Sequence, residues 1–229
     1  MKNNDINISD YRYERKYFIR QLSKYEIESL INLNPAIFSE IYHQRYVNNI
    51  YFDSFNLINL HDSVEGATNR AKVRIRWYGD LNGVIKHPVL EIKSKRGLGG
   101  SKKSFTFQSF IIKHNTTSKD IQALIHDSQI PANINLLGIK PVLVNRYKRN
   151  YFQSVDKKYR ITIDTNMVFY NFSSLSVSFL KKFDFGSNVI VELKYQPHED
   201  LTANKVTNHF PFRMTKMSKY VLGVEKTFL

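Results

Sequence analysis

Lys72, Arg74 and Arg76 stand at alternate positions of KVRIRWY, with Val73, Ile75 and Trp77 between them. In an extended strand successive side chains point to opposite faces, so the three cations share one face and the hydrocarbon takes the other. The pattern recurs with mixed charge. Arg12, Glu14 and Lys16 alternate with Tyr13 and Tyr17; Glu91, Lys93 and Lys95 with Leu90 and Ile92; Glu192 and Lys194 with Val191 and Leu193; Arg160, Thr162 and Asp164 with Ile161 and Ile163. Each strand alone reads as a solvated outer face. Together they read differently, because the apolar faces must pack on something; outer helices there would turn the charged faces inward. A dry interior holding so many cations is untenable, since burying one unpaired ion costs several kcal/mol. A wide, wet tunnel is tenable, and its Arg forks and Lys point charges would grip a chain of phosphates. The carboxylates would then hold a divalent cation bridging phosphate oxygens, as hard Mg2+ or Mn2+ prefers oxygen ligands.

The elements that must position these residues are mostly strands. Alternation predicts them at 11–19, 45–52, 70–78, 84–95, 103–113, 141–153, 158–164, 166–172 and 188–195. Ser23 with Glu26 predicts a capping box opening a helix that carries Ile27, Leu30 and Ile31. A second helix is predicted over 118–127 and a third over about 213–222. The expected fold class is mainly β (α+β), with antiparallel strands closed into a tunnel barrel of about eight strands and helices packed outside. Residues 1–10 form a polar lead, and 11–229 a single domain.

Composition agrees with an anionic partner. The 229 residues carry 34 Lys and Arg against 20 Asp and Glu, a net charge of +14. That excess points to nucleic acid, anionic lipid or phosphate-rich small molecules. Hydrophobic residues make up 42% of the chain, enough for a core, so disorder is set aside. The absence of cysteine excludes disulfides and thiolate metal sites. MKNNDINISDYRYERK has no apolar signal region, and no apolar run approaches the ~20 residues of a membrane helix. A cytoplasmic protein is expected.

Other motifs carry less. RGLGGSKKS lacks the spacing of a phosphate-binding loop, and a Gly-rich hairpin between two strands is expected there. The seven histidines form no ligand pair. Trp77 and the tyrosines could stack on bases, yet most alternate with charges as core residues do. No Ser-His-Asp arrangement is apparent.

RYERKYFI, YVNNIYFDS, KVRIRWYG, LEIKSK, NRYKRNYFQ, YRITIDT, VIVELKY and KMSKYVLGV, in that order from about Tyr11 to Phe228, resemble the VTC domain. This is the polyphosphate-polymerase branch of the triphosphate tunnel metalloenzymes, within the CYTH superfamily. The resemblance implies an antiparallel tunnel whose basic residues bind triphosphate or polyphosphate: Lys16, Arg74, Arg76, Lys93, Lys102, Arg149, Arg160, Lys216 and Lys219, with Glu192 as the metal ligand. Lys216 and Lys219, three apart, would share one face of the last helix. Strand parity leaves Arg149 in competition with Arg146 and Lys148, and Lys102 in competition with Lys103.

The chain departs from the wider superfamily at Arg12, where a Glu-x-Glu-x-Lys motif would place its first acid, and this weakens a hydrolase reading. It also lacks the SPX module and membrane helices of eukaryotic polymerase subunits, resembling instead the stand-alone bacterial VTC domains. The expected activity is a metal-dependent phosphotransferase moving the γ-phosphate of ATP or another triphosphate onto polyphosphate, with Mn2+ or Mg2+. In that mechanism Arg74, Arg76, Lys93, Arg149 and Arg160 hold the donor phosphates, and Lys216 and Lys219 align the acceptor. A tripolyphosphate or nucleoside triphosphate hydrolase and a non-catalytic polyphosphate-binding module are the alternatives. A membrane protein partner is left open, and nucleic acid is not expected as a specific ligand.

Overall fold

One antiparallel sheet organises the chain, and the computed structural model describes residues 12–96, 99–126, 136, 138–172 and 177–228 of it. Its strands are β1 (Tyr13–Ile19), β2 (Phe38–Ser54), β3 (Asn69–Tyr78), β4 (Gly83–Ile85), β5 (Val89–Arg96), β6 (Gly99–Thr106), β7 (Phe110–Ile112), β8 (Ile139–Ser154), β9 (Arg160–Phe172), β10 (Val177–Asp184) and β11 (Val189–Tyr195). The helices are α1 (Lys24–Asn32), α2 (Ile58–Glu65), α3 (Ser118–His126), α4 (Asp200–Thr207) and α5 (Lys219–Phe228). Eight strands run in the order β1-β11-β9-β8-β2-β3-β5-β6, β10 adds to β9, and β4 with β7 forms a separate ribbon. Among the described residues no helix is long and apolar enough to cross a membrane. The polar lead 1–10 lies outside the described residues.

The sheet curls. In a flat sheet β3 and β11, four places apart in the order, would lie about 19 Å from each other. Yet Lys72 on β3 donates to Ser218 Oγ at 2.9 Å, while the adjacent Lys219 reaches Asp164 on β9 at 2.7 Å and Glu192 on β11 at 2.8 Å. The expected closure into a barrel is not shown, because no ladder joins β1 to β6 among the described residues. The free side of β1 is instead covered by the segment before α5: Tyr17 bridges Met214, and Thr215 N–H donates to Lys16 O at 2.8 Å.

The outer face holds two apolar clusters. One joins Tyr17, Ile19, Ile161, Val191 and Leu193 to Ile27 and Ile31 of α1 and Ala203 and Val206 of α4. The other joins Ile50, Val73, Ile75, Trp77 and Leu90 to Phe110 and Ile112 of β7 and Ile121 of α3. The capping box of α1 is present, Ser23 N–H donating to Glu26 Oε2 at 2.7 Å. Arg15 pins α4 to the outer face through Tyr195 Oη at 2.6 Å and Asp200 Oδ1 at 3.0 Å.

Helices do not all pack outside, contrary to expectation. A third cluster lies on the inner face, where Val47, Tyr51, Leu143, Tyr147, Phe169 and Ile190 meet Tyr220 and Val224 of α5. Asp53, the last inner residue of β2, fixes this corner: it accepts from the N–H groups of Asn59 and Leu60 at the start of α2 and from Tyr220 Oη. α5 thus plugs one end of the hollow with hydrocarbon.

Several boundaries differ from the alternation. The expected strand 84–95 divides at Pro88 into β4 and β5, since proline cannot donate to a ladder. The expected strand 103–113 divides likewise into β6 and β7. The last helix begins at Lys219, because Ser218 caps it: the Val221 N–H donates to Ser218 Oγ and the Leu222 N–H to Ser218 O.

Candidate functional site

The inner face away from α5 carries the charges. Strand register lines them up: Lys16 opposite Glu192, Glu14 opposite Lys194, Asp164 opposite Arg149, and Arg74 opposite Glu91. Two knots result.

In the first knot, Glu91 accepts from Arg74 Nη2 at 2.5 Å, Lys102 Nζ at 2.6 Å and Arg76 Nη1 at 3.4 Å. Asn49 Oδ1 takes Arg76 Nε at 3.1 Å. Burial alone would raise the Glu91 carboxyl, but these cations hold it well below the usual carboxylate range.

In the second, Arg149 grips Asp164 through Nε at 2.5 Å and Nη2 at 2.6 Å, and touches Glu192 at 3.5 Å. Lys219 bridges both carboxylates, and Lys194 pairs with Glu192 at 3.0 Å and Glu14 at 3.3 Å. Lys16 pairs with Glu14 at 3.4 Å. Burial pushes Glu192 up, yet Lys194, Lys219 and Arg149 more than offset it and keep it well below its usual value. The same carboxylates hold Lys219 above its usual value against the effect of burial.

Between the knots stand Lys72 and Lys93, neither in an ion pair with a described carboxylate. Burial, then Lys16, Arg70 and Arg74, push Lys72 down to about 8. Burial and Arg74 push Lys93 well below the lysine range, although its side chain remains reachable by water. A side chain both accessible and crowded by protein belongs to the wall of a wet hollow. Lys16, Lys72, Arg74, Arg76, Lys93, Lys102, Arg149, Lys194 and Lys219 thus face Glu14, Glu91, Asp164 and Glu192. The hollow is short of negative charge, and an anion with several oxygens would complete it.

The sequence model of the VTC domain matches residues 11–228. The chain belongs to the VTC domain family. No curated protein matches it. Solved structures share the fold across large evolutionary distance. A candidate adenylate cyclase from Vibrio parahaemolyticus aligns with TM-score 0.53 at 10% identity, covering 93% of this chain and 98% of that one. A Hippeastrum protein described as a candidate adenylyl cyclase with a dominant triphosphatase activity aligns with TM-score 0.50 at 15% identity, covering 95% and 98%. A protein of Pyrococcus horikoshii OT3 gives 0.54 at 16% identity, covering 94% and 99%. These likenesses are of fold alone.

Most residues singled out in the sequence converge in this VTC domain. Lys16, Arg74, Arg76, Lys93, Lys102, Arg149, Glu192 and Lys219 share the hollow. Arg149 faces inward and its competitors do not: Arg146 lies 3.7 Å from the Tyr46 ring centroid and Lys148 5.2 Å. Lys102 reaches Glu91, while Lys103 is exposed on the other strand parity. Arg160 is on the inner face but exposed at the rim, one strand row beyond Thr162. Lys216 departs from expectation. It precedes α5, in the extended segment beside β1, and does not share a helical face with Lys219. Lys219 itself is consumed by Asp164 and Glu192. Lys72, Glu91, Asp164 and Lys194 were absent from the residues assigned by motif, although parity with Arg74, Lys93, Thr162 and Glu192 already placed them on the same faces.

Glu192 could hold a divalent ion only in company. Lys219 occupies its Oε1 and Lys194 and Arg149 its Oε2. No group of three or more His, Asp or Glu side chains stands at metal-binding spacing among the described residues. The donor set therefore fits an ion held by one or two carboxylates plus substrate phosphates, the usual mode for Mg2+, and not a cage made by protein alone.

Proposed function

We propose that this VTC domain is a metal-dependent phosphotransferase of the polyphosphate-polymerase type, acting in the basic hollow on the inner face of the curled sheet. The observation that carries the proposal is the uncompensated positive charge between the two knots, where Lys72 and Lys93 stand beside the Arg74–Arg76 pair. ATP or another triphosphate is the donor and a polyphosphate chain the acceptor. Arg74 and Arg76, already set in place by Glu91 and Asn49, present their remaining N–H groups to phosphate oxygens, with Lys93 and Lys72 supplying point charges. Glu192, with Glu14 near it, would hold Mn2+ or Mg2+, which offsets charge developing on the β–γ bridge.

Little else is required of the protein, because phosphoryl transfer depends mainly on positioning and charge stabilisation. Arg149 and Lys219 act here as the rigid floor of the site, fixing Asp164 and Glu192, and Lys16 and Lys194 remain to align the attacking terminal phosphate. Incubating the pure protein with ATP and Mn2+, then running a gel for polymer and an assay for free phosphate, tests this. Polymer with release of ADP is expected. Phosphate without polymer would replace this reading with a hydrolase. Strong tripolyphosphate binding without turnover would replace it with a binding module.

A further inference from the structure

A separate hollow of about 280 Å³ opens at the rim of the sheet, where the ends of β1, β9 and β11 meet the β8–β9 turn. Arg12, Lys157, Lys158, Arg160 and Lys194 line it, with Asp156 and Glu199. The carboxylates are already committed. Asp156 Oδ1 accepts from Ser154 Oγ at 2.6 Å and from the Lys158 N–H at 3.1 Å, closing its own turn. Glu199 is held by Lys158 at 2.9 Å and Thr202 Oγ1 at 2.7 Å. The side-chain cations of Arg12, Lys157 and Arg160 have no hydrogen bond or ion pair with described residues.

Lys194 connects this hollow to the inner site. It lines the rim while its Nζ touches Glu192 and Glu14. Arg160 lies directly opposite Lys194, one strand row outside the Thr162–Glu192 pair, about 7 Å farther along the strands. A phosphate chain leaving the inner site past Lys194 therefore meets Arg160 and Arg12 next.

We propose that this rim hollow is a second phosphate-chain site, which makes the domain prefer long polyphosphate over tripolyphosphate. The proposal rests on the function argued above. Two unpaired guanidiniums suit phosphate oxygens. The lining is poor in rings for bases to stack on: the Tyr195 hydroxyl is bonded to Arg15 and Asp200 and its ring is buried, which leaves the His198 imidazole, 3.5 Å from Glu199, as the one accessible ring. Five lining cations against one accessible ring favour a polyanion without bases as the occupant. The departure at Arg12 from the superfamily's acidic position also acquires a role here, as a cation at the mouth.

The test uses Arg12→Ala with Lys157→Asn, neither residue belonging to the inner site. Asn is chosen because Lys157 has a positive φ of 61°, which Asn tolerates. Calorimetric affinities for tripolyphosphate and for long-chain polyphosphate are compared with those of wild type and of Lys113→Ala with Lys119→Ala, which removes the same charge from a distant surface. The double rim variant should lose about tenfold or more in affinity for the long chain while tripolyphosphate changes by less than about twofold, as expected when one of two linked sites is lost. Equal weakening of both ligands, or the same loss in the distant variant, would overturn the rim site in favour of a general field. So would unchanged long-chain binding, or single-stranded DNA bound as tightly as polyphosphate. Wild type that binds neither phosphate ligand would instead remove the proposed function itself.

Discussion

Glu91 on β5 sits directly across from Arg74 on β3 and receives both Nε, at 2.7 Å, and Nη2, at 2.5 Å, of its guanidinium. The same carboxylate takes Arg76 and Lys102. One acid thus orders three cations that would otherwise repel each other and swing freely. The ordering carries a stability cost when the acid is lost, and a binding gain, because the cations it satisfies are those an incoming phosphate must win.

Glu91→Gln should therefore act in opposite directions on fold and ligand. Removing one partner of a buried ion pair leaves charge uncompensated, which costs about 3–5 kcal/mol in dry interiors and less in a wet hollow. The melting temperature of the free protein should fall. Tripolyphosphate affinity, measured by calorimetry, should rise, since Arg74 and Arg76 no longer divide their hydrogen bonds. A variant with unchanged melting temperature and weaker binding would show that Glu91 orders the arginines too essentially to be a competitor.

The charged strands were legible because period-two alternation survives wherever one face is packed. Lys72, Arg74 and Arg76 point inward, and Val73, Ile75 and Trp77 outward, as KVRIRWY requires. Parity failed to speak where the sheet breaks its own rule: β9 changes partner from β11 to β10, and the β8–β9 register shifts between Arg146 and Lys148. α5 was misplaced by six residues at its start. Its apolar pattern continues upstream through Met214 and Met217, which pack beside β1 in extended form, and the deciding signal was the cap at Ser218. Nothing local announced that α5 would lie inside the sheet. Its inward burial depends on Asp53, remote in sequence, receiving the Tyr220 hydroxyl. The ion pairs of Glu192 were equally hidden, since Lys219 and Arg149 reach it from other elements.

Glu192→Gln separates chemistry from grip. Turnover with Mn2+ should fall by about a hundredfold or more, the scale on which removing one charge-stabilising group acts. Metal-free tripolyphosphate binding should persist or tighten, because Lys194 and Lys219 then lose a competing anion. Turnover equal to wild type would place the metal elsewhere. Arg74→Ala with Arg76→Ala should give the converse, loss of measurable tripolyphosphate binding with the fold retained by circular dichroism.

Lys72 predicts two pH dependences of opposite sign. Its ammonium is pushed down to about 8 in the folded protein by burial and neighbouring cations, against an ordinary value of 10.5. Between those values the unfolded chain binds the extra proton, so this residue makes the free protein more stable as pH rises from 8 toward 10.5. A phosphate chain needs the charged form, so tripolyphosphate affinity should drop over the same window, approaching about tenfold per pH unit. Thermal melting with and without ligand from pH 7 to about 10 checks both. Lys72→Met should flatten the two profiles together; profiles unaltered by that change would assign the titration to another group.

Gly223 tests the inner helix. Glycine within a helix ordinarily costs about 1 kcal/mol relative to alanine, so Gly223→Ala would stabilise an unconstrained α5. Here a Cβ would meet Leu143 Cδ2 and, at 2.5 Å, Phe169 Cδ1 on the inner face of the sheet. Overpacking of this kind costs about 1–3 kcal/mol, which outweighs the propensity gain. Any relief by lifting α5 would also move Lys219, the first residue of the helix, away from Asp164 and Glu192. Gly223→Ala should therefore lower the melting temperature and disturb the floor of the site, reducing Mn2+-dependent turnover more than tripolyphosphate binding. A rise in melting temperature would mean that α5 does not dock this closely against β8 and β9, and the plugged end of the hollow would have to be redrawn.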